Sequence, residues 1–382
     1  MPPSFDFDQE IDRRDTASVK WERYRDPDVL PMWVADTDFA VAPAIQQALR
    51  ERVAHPVYGY TQVRPQLIEL LVTRMGERYG WEVRPSWIVM LPNVITAFYL
   101  SCRARGRPGE PVYQPSVIYP PFAHSPTFHG MTRQGIPMRY QDGHPRIDFD
   151  WLENNPAAPG QLLFFCNPQN PGGTVYRRDE LERLARIVEE QDLVIVSDEV
   201  HCDLVLDEDS AHIPVASLGP AVAGRSITLM APSKTFNLAG LGCAFAIVPD
   251  ARLRREIKVN PYIVPHVNLM GLAAAEAAYR DGDEWNRQQC AYLRANRDYL
   301  VEELNRVPGL SVAPPQATYL AWIDVSALNL ENPAGFFEAA GVGLSPGREF
   351  GDPGYLRLNF GCPRSRLAEA VSRMRRAVEK RD

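Results

Sequence analysis

Lysine is nearly missing from this chain. Of its 41 Lys+Arg residues only four are lysines, Lys20, Lys234, Lys258 and Lys380. Positive surface charge is therefore made from arginine, which neither loses its proton nor condenses with a carbonyl, whereas lysine does both. Other absences narrow the field. No apolar run approaches the length needed to cross a bilayer. The opening stretch "MPPSFDFDQEIDRRD" lacks the apolar core of a secretory signal. The six cysteines, Cys102, Cys166, Cys202, Cys243, Cys290 and Cys362, form no C-x-x-C pair, which argues against a metal site and for reduced core thiols in a cytoplasmic protein. There is no G-x-G-x-x-G, P-loop, H-E-x-x-H or G-x-S-x-G, so dinucleotide, nucleoside triphosphate, zinc-protease and serine-hydrolase sites lose their usual signatures. A net charge of -7 excludes an ordinary nucleic-acid binder.

What remains is a globular composition, 45% hydrophobic and 23% charged over 382 residues, enough for one large or two moderate domains. The middle third alternates strand and helix patterns. "QLLFFCNP" (161–168), "LVIVSDEV" (193–200), "SITLMAPS" (226–233) and "GCAFAIVP" (242–249) read as buried strands, and "RDELERLARIVEEQD" (178–192) as an amphipathic helix. Continuous apolar strands separated by helices predict an α/β fold, a mostly parallel sheet covered on both faces. After about residue 275 come a long helical pattern, two short strands, "TYLAWIDV" and "YLRLNFG", and a closing helix, which predicts a smaller α+β domain. The expected division is an N-terminal segment 1–45 joining the small domain, a large domain 46–274 and a small domain 275–382.

Lys234, in "LMAPSKTFNLAGL", is the one lysine that follows a buried strand. Sites in parallel sheets form outside the carboxyl ends of the strands. Three other strand ends carry polar residues: Asp198 and His201 in "SDEVHCD", Asn167 and Asn170 in "CNPQNPGG", and Tyr119 in "VIYPPF". Singly, these are a surface charge, a helix cap, turn residues and a core ring. Together they suit pyridoxal 5'-phosphate (PLP), whose aldehyde needs an amine, whose ring nitrogen needs an anion, whose ring oxygen needs an amide donor and whose ring face takes an aromatic plate.

The chain also resembles the fold-type I PLP enzymes of the aminotransferase class I/II superfamily, and within it the PatB/MalY-type cystathionine β-lyases (C–S lyases). The resemblance lies in "IDRRDTASVKW", "LPMWVADTDF", "YGYT", "YPPF", "CNPQNPGG", "SDEVHCDLV", "APSKTFNLAGL", "EAAYRDGDEW", "TYLAWIDV" and "RLNFGCPR", spread nearly end to end. It implies that Lys234 bonds the cofactor, Asp198 faces the pyridine nitrogen, Asn170 reaches the ring oxygen, and Tyr119 stacks on the ring above His201. It assigns Ser233, Asn93, Val94 and Ile95 to the phosphate, and Tyr60 to the phosphate of a neighbouring subunit in a homodimer. Arg357 clamps the substrate carboxylate, with Asn170, Val34 and Ala35 on the substrate side. Asn93 stands where the family has glycine, so a left-handed turn is expected there, with the side chain pushed toward the phosphate or the substrate. The turn "GLG" (240–242) lacks the arginine that many aminotransferases use on the phosphate, which suits the lyases. The implied reaction is β-elimination from a small amino acid with a sulfur substituent. The alternatives are an aminotransferase and a PLP-binding regulatory protein with little turnover.

Overall fold

The computed structural model describes residues 4–258, 264 and 266–381. Its centre is a seven-stranded sheet in the order Ile88–Leu91, Ala244–Ile247, Ser226–Met230, Val194–Asp198, Leu162–Cys166, Pro111–Pro115 and Thr132–Ile136. The inner strands are buried along their whole length, as their unbroken apolar sequences require. Helices such as Val94–Arg105 and Arg178–Glu190 cover the sheet. Arg178–Glu190 turns Leu181, Leu184, Ala185 and Val188 inward, the stripe expected from its sequence. The chain has the aminotransferase fold type I that the sequence predicts.

One strand departs from the parallel pattern. Ala244–Ile247 runs antiparallel to both neighbours. A parallel return normally needs a crossover helix. Here the connection from Met230 is spent on two short helical turns, Pro232–Thr235 and Ala239–Leu241, so the chain comes straight back. Every other strand of the sheet points the same way. The ends at Leu91, Pro115, Cys166, Asp198 and Met230 therefore open onto one edge.

A second, four-stranded antiparallel sheet, in the order Ser311–Val312, Leu320–Asp324, Tyr355–Asn359 and Ser345–Pro346, accompanies the long helices Asp283–Leu304 and Arg364–Glu379. Leu30–Pro31 near the N-terminus pairs in parallel with Val342–Gly343. That pairing carries residues 33–38 from the beginning of the chain to the edge of the large sheet. There Asn359 donates hydrogen bonds to the carbonyls of Val34 and Asp36, both at 2.6 Å.

The strand that leads into Lys234 depends on Leu229, whose side chain is fully buried. Leu229→Ala should cost about 2–5 kcal/mol, the usual range for a cavity that cannot collapse. The check is the thermal or urea midpoint of the variant, and a midpoint equal to wild type would show that the strand repacks.

Candidate active site

A cavity of about 420 Å³ opens at the edge where the strand ends converge. Its wall contains Val34, Ala35, Asn93, Val94, Ile95, Tyr119, Asn170, Asp198, His201, Ser233, Lys234 and Arg357. These are all the residues expected from the sequence except Tyr60 and Asn167, the latter fully buried outside the wall with its Oδ1 accepting from the Tyr176 N–H at 3.2 Å. Tyr60 lies fully exposed in the extended stretch between the helices Pro43–Ala54 and Pro65–Tyr79, away from this cavity.

Lys234 sits in the single helical turn after the strand Ser226–Met230, with Pro232 starting the turn. Its Nζ donates to the carbonyl of Ala35 at 2.8 Å. Burial, followed by the nearby Arg357 guanidinium, lowers the amine to about 8, against the opposing pull of Asp36 and Asp198. Asp198 ends its strand in full burial. Among the described residues the one hydrogen bond its carboxylate accepts comes from the Val200 N–H, at 3.2 Å. Burial dominates and pushes the carboxyl up to about 7, although Val200 and Lys234 act the other way. His201 is held neutral by burial and by the charges of Lys234 and Arg357, all lowering it well below its ordinary value.

Arg357 is the most unusual charge. It is 4% exposed, and no carboxylate among the described residues lies within ion-pair distance. Its Nη1 donates to Asn170 Oδ1 at 2.9 Å, its Nη2 to the Trp33 carbonyl at 2.8 Å, and its plane lies over the Phe350 ring. Nε has no partner. Burial lowers this guanidinium to about 10. A desolvated cation fixed by neutral acceptors, with a donor to spare, is built for an incoming carboxylate. Because Asn170 gives its oxygen to Arg357, only its amide Nδ2 is left to donate into the cavity.

Asn93 corrects the expectation for the phosphate turn. Its backbone is extended (φ -164, ψ 165), not left-handed, and its side chain folds back to accept from the N–H of Thr96 at 2.9 Å. It is an N-cap for the helix Val94–Arg105, and its side-chain oxygen supplies the acceptor that a glycine there would lack. The N–H groups of Val94 and Ile95 keep no intrahelical acceptor, so this helix end can still receive an anion. In the "GLG" turn it is Gly242 that is left-handed (φ +58). Among the described residues the cavity wall contains no cations besides Lys234 and Arg357, so a phosphate there would rest on neutral donors, including Ser233.

Sequence reasoning missed several neighbours. Trp33 holds the site through its backbone carbonyl, and the Tyr319 hydroxyl donates to the same Ala35 carbonyl at 3.1 Å. Glu349 and Phe350 complete the wall beside Arg357. Trp33 and Tyr319 lie in quoted motifs, "LPMWVADTDF" and "TYLAWIDV"; the Trp33 carbonyl leaves no mark in residue type, and a lone tyrosine at a strand start reads as core.

These residues fit PLP, for the buried carboxylate without a cation and the buried guanidinium without an anion are the two ends such a ligand and its substrate would neutralise. Asp198 allows a direct check. A carboxyl whose folded value lies above its unfolded 3.8 binds its proton more tightly when folded, so its contribution to stability falls as pH rises toward 7. Cofactor-free Asp198→Asn should therefore melt higher than cofactor-free wild type at pH 8, at roughly 2–4 °C per kcal/mol, and the gap should close near pH 4. Equal melting at both pH values would mean that the carboxylate is not penalised. Loss of the Asp198 charge also lowers the Lys234 amine further, which narrows the gap at pH 8.

The sequence matches the family described as Aminotransferase class I and II over residues 30–374. It is 36% identical to the cystathionine β-lyase PatB of Bacillus subtilis (strain 168), over 97% of this chain and 99% of that one. Its structure is similar to the crystal structure of OvoB, with a TM-score of 0.93 and 46% identity over 98% of this chain and 99% of the other. It is also similar to that of the PLP-bound C–S lyase from Staphylococcus hominis, with a TM-score of 0.91 and 29% identity over 99% of each chain. With the cavity at the strand ends and the match running nearly the length of the chain, the protein belongs to the aminotransferase class I and II family.

Proposed function

We propose that this protein is a PLP-dependent carbon–sulfur β-lyase, cleaving cystathionine or another cysteine S-conjugate to a thiol, pyruvate and ammonia. The observation that carries the reading is one cavity holding a buried amine, a buried carboxylate without a cation and a buried guanidinium without an anion. Near end-to-end similarity to proteins named cystathionine β-lyase and C–S lyase supports it.

Lys234, Asp198, Asn170, Tyr119 and His201 would hold the cofactor ring, and Ser233 with the helix end at Asn93, Val94 and Ile95 its phosphate. Bound there, PLP supplies an aldehyde that captures the substrate amine and a ring that takes up the electron pair released at Cα. The chain's own residues do the rest. Arg357 fixes the carboxylate and so aims the Cα–H bond, with Val34 and Ala35 alongside. Lys234, lowered to about 8, is partly neutral near neutral pH and can remove the α-proton as general base. When the Cβ–S bond breaks, its electron pair leaves with sulfur, and the proton on Nζ is at hand for the departing thiolate. Tyr119, whose hydroxyl burial raises and so keeps protonated, can hydrogen-bond beside the reacting carbon. The three-carbon remainder hydrolyses to pyruvate and ammonia.

The family description favours a second reading, an aminotransferase using the same residues. The test is to supply cystathionine and several S-substituted cysteines without any keto acid. Thiol, pyruvate and ammonia in equal amounts over many turnovers are expected. Turnover only when a keto acid is added, with its amino acid as product, would overturn the lyase in favour of the transferase. Slow turnover of every amino acid would leave a PLP-binding protein.

The proposed assembly is a homodimer in which Tyr60 reaches the phosphate of the neighbouring subunit. Tyr60 is fully exposed, and Val53, Val57 and Tyr58 near it are exposed too. Mixing inactive Tyr60→Ala with inactive Lys234→Ala should restore part of the activity, since one hybrid site is intact. A fully active monomer by sedimentation would sink the shared site.

A further inference from the structure

Lys20 is the one lysine among the described residues with a fully buried side chain, at zero exposure. Its Nζ lies 3.1 Å from Asp38 Oδ2 and 3.8 Å from Asp36 Oδ1, and it donates to the Asp36 carbonyl at 3.2 Å. Arg13 bridges the same two carboxylates at 2.8 Å each, and Arg366 reaches Asp38 at 3.0 Å. Trp21 adds an N–H to Asp38. Residues of "IDRRDTASVKW" and "LPMWVADTDF" thus meet Arg366 in one cluster of charges. Burial alone would raise the Asp38 carboxyl, yet Lys20, Arg366, Trp21 and Arg13 hold it at about 2.

A buried ion cluster is weak evidence for stability, because desolvation consumes much of its attraction. Its place says more. Asp36 and Asp38 flank the strip whose preceding carbonyl, Ala35, accepts the Lys234 amine. From the other side Asn237, three residues beyond Lys234, bonds Thr37 and Phe39. We propose that Lys20 is a positioning residue for Lys234: by fixing and neutralising Asp36 it holds the Ala35 carbonyl against the amine and limits how strongly that amine keeps its proton.

The charges facing Lys234 are few. Arg357 from the strand Tyr355–Asn359 disfavours its proton, and Asp36 and Asp198 favour it. His201, Tyr119, Glu349, Cys166 and Cys243 also line the cavity. Tyr319 shares the carbonyl. Asp36 itself faces Arg13, Lys20, Tyr319 and Lys234. Removing Lys20 unmasks the Asp36 charge and should raise the pH at which Lys234 gives up its proton. Removing the Asp36 charge should lower it. The opposite signs separate an effect on the amine from a loss of stability.

The inference rests on Lys234 as the working amine of the proposed lyase, but its test does not require turnover. In the full-length protein stripped of cofactor by a carbonyl scavenger, trace acetic anhydride across pH should label Lys234, with the peptide followed by mass. The midpoint is expected to rise by at least about half a unit in Lys20→Met and to fall by a similar amount in Asp36→Asn. The visible band of the holoenzyme should titrate in the same order. If the Lys20→Met protein fails to fold, Lys20→Gln, which keeps a donor for the Asp36 carbonyl but not the charge, takes its place, with the same rise expected and an unchanged midpoint overturning the proposal. An unchanged midpoint in the folded variants, even with a lower melting temperature, would reduce Lys20 to a structural ion and overturn the proposal. A normal labelling shift with no thiol released would instead spare it and overturn the lyase.

Discussion

The withdrawal of Lys234, Asp198 and Arg357 from water without direct pairing among them governs this structure. Each charge loses hydration, and each is answered mainly by neutral groups: a carbonyl, a backbone N–H, an amide oxygen. Had they formed tight ion pairs, Lys234 would hold its proton and Arg357 would be masked. The cavity instead stores unmet electrostatic demand, which a ligand of complementary charge relieves.

The N-terminal cluster is the counterpart. Lys20, Arg13 and Arg366 against Asp36 and Asp38 are bonded many times over, and the Asp38 carboxyl is driven down where Asp198 is driven up. One chain thus uses buried charge in two ways a short distance apart. The saturated cluster makes a rigid backing. The unsaturated one makes a reactive cavity, and residues 35 and 36 are the seam between them.

How much of this was legible in the sequence follows from what residue type can encode. Apolar runs with polar ends gave the strands, their common edge, and Lys234, Asp198, Asn170 and Tyr119 with them. Arg357 came through the family resemblance, and the apolar strand residues on both sides of it agreed with a buried role. The reversed direction of Ala244–Ile247 was hidden, because strand polarity depends on what the connecting residues are doing. Asn93 was assigned the wrong geometry: a glycine position suggested a left-handed turn, while the capping chemistry of asparagine determined the outcome. Lys20 resembled an ordinary charged residue near a terminus, since its burial is produced by partners sixteen and more positions further along the chain. The carbonyls of Trp33 and Ala35 carry no side-chain signature at all.

The turn that presents Lys234 is local, a return between adjacent strands, and can form whenever the sheet does. Its acceptor at Ala35 lies 199 residues away, and the bond from Arg357 to Trp33 spans 324. Contacts between residues so far apart in sequence are slow to form. The site is thereby a proofreader of its own chain: the amine acquires its acceptor only after the first forty residues and the last strand have both arrived. A polypeptide cut short at the C-terminal end, or caught before its beginning has docked, carries the lysine but not the environment that tunes it.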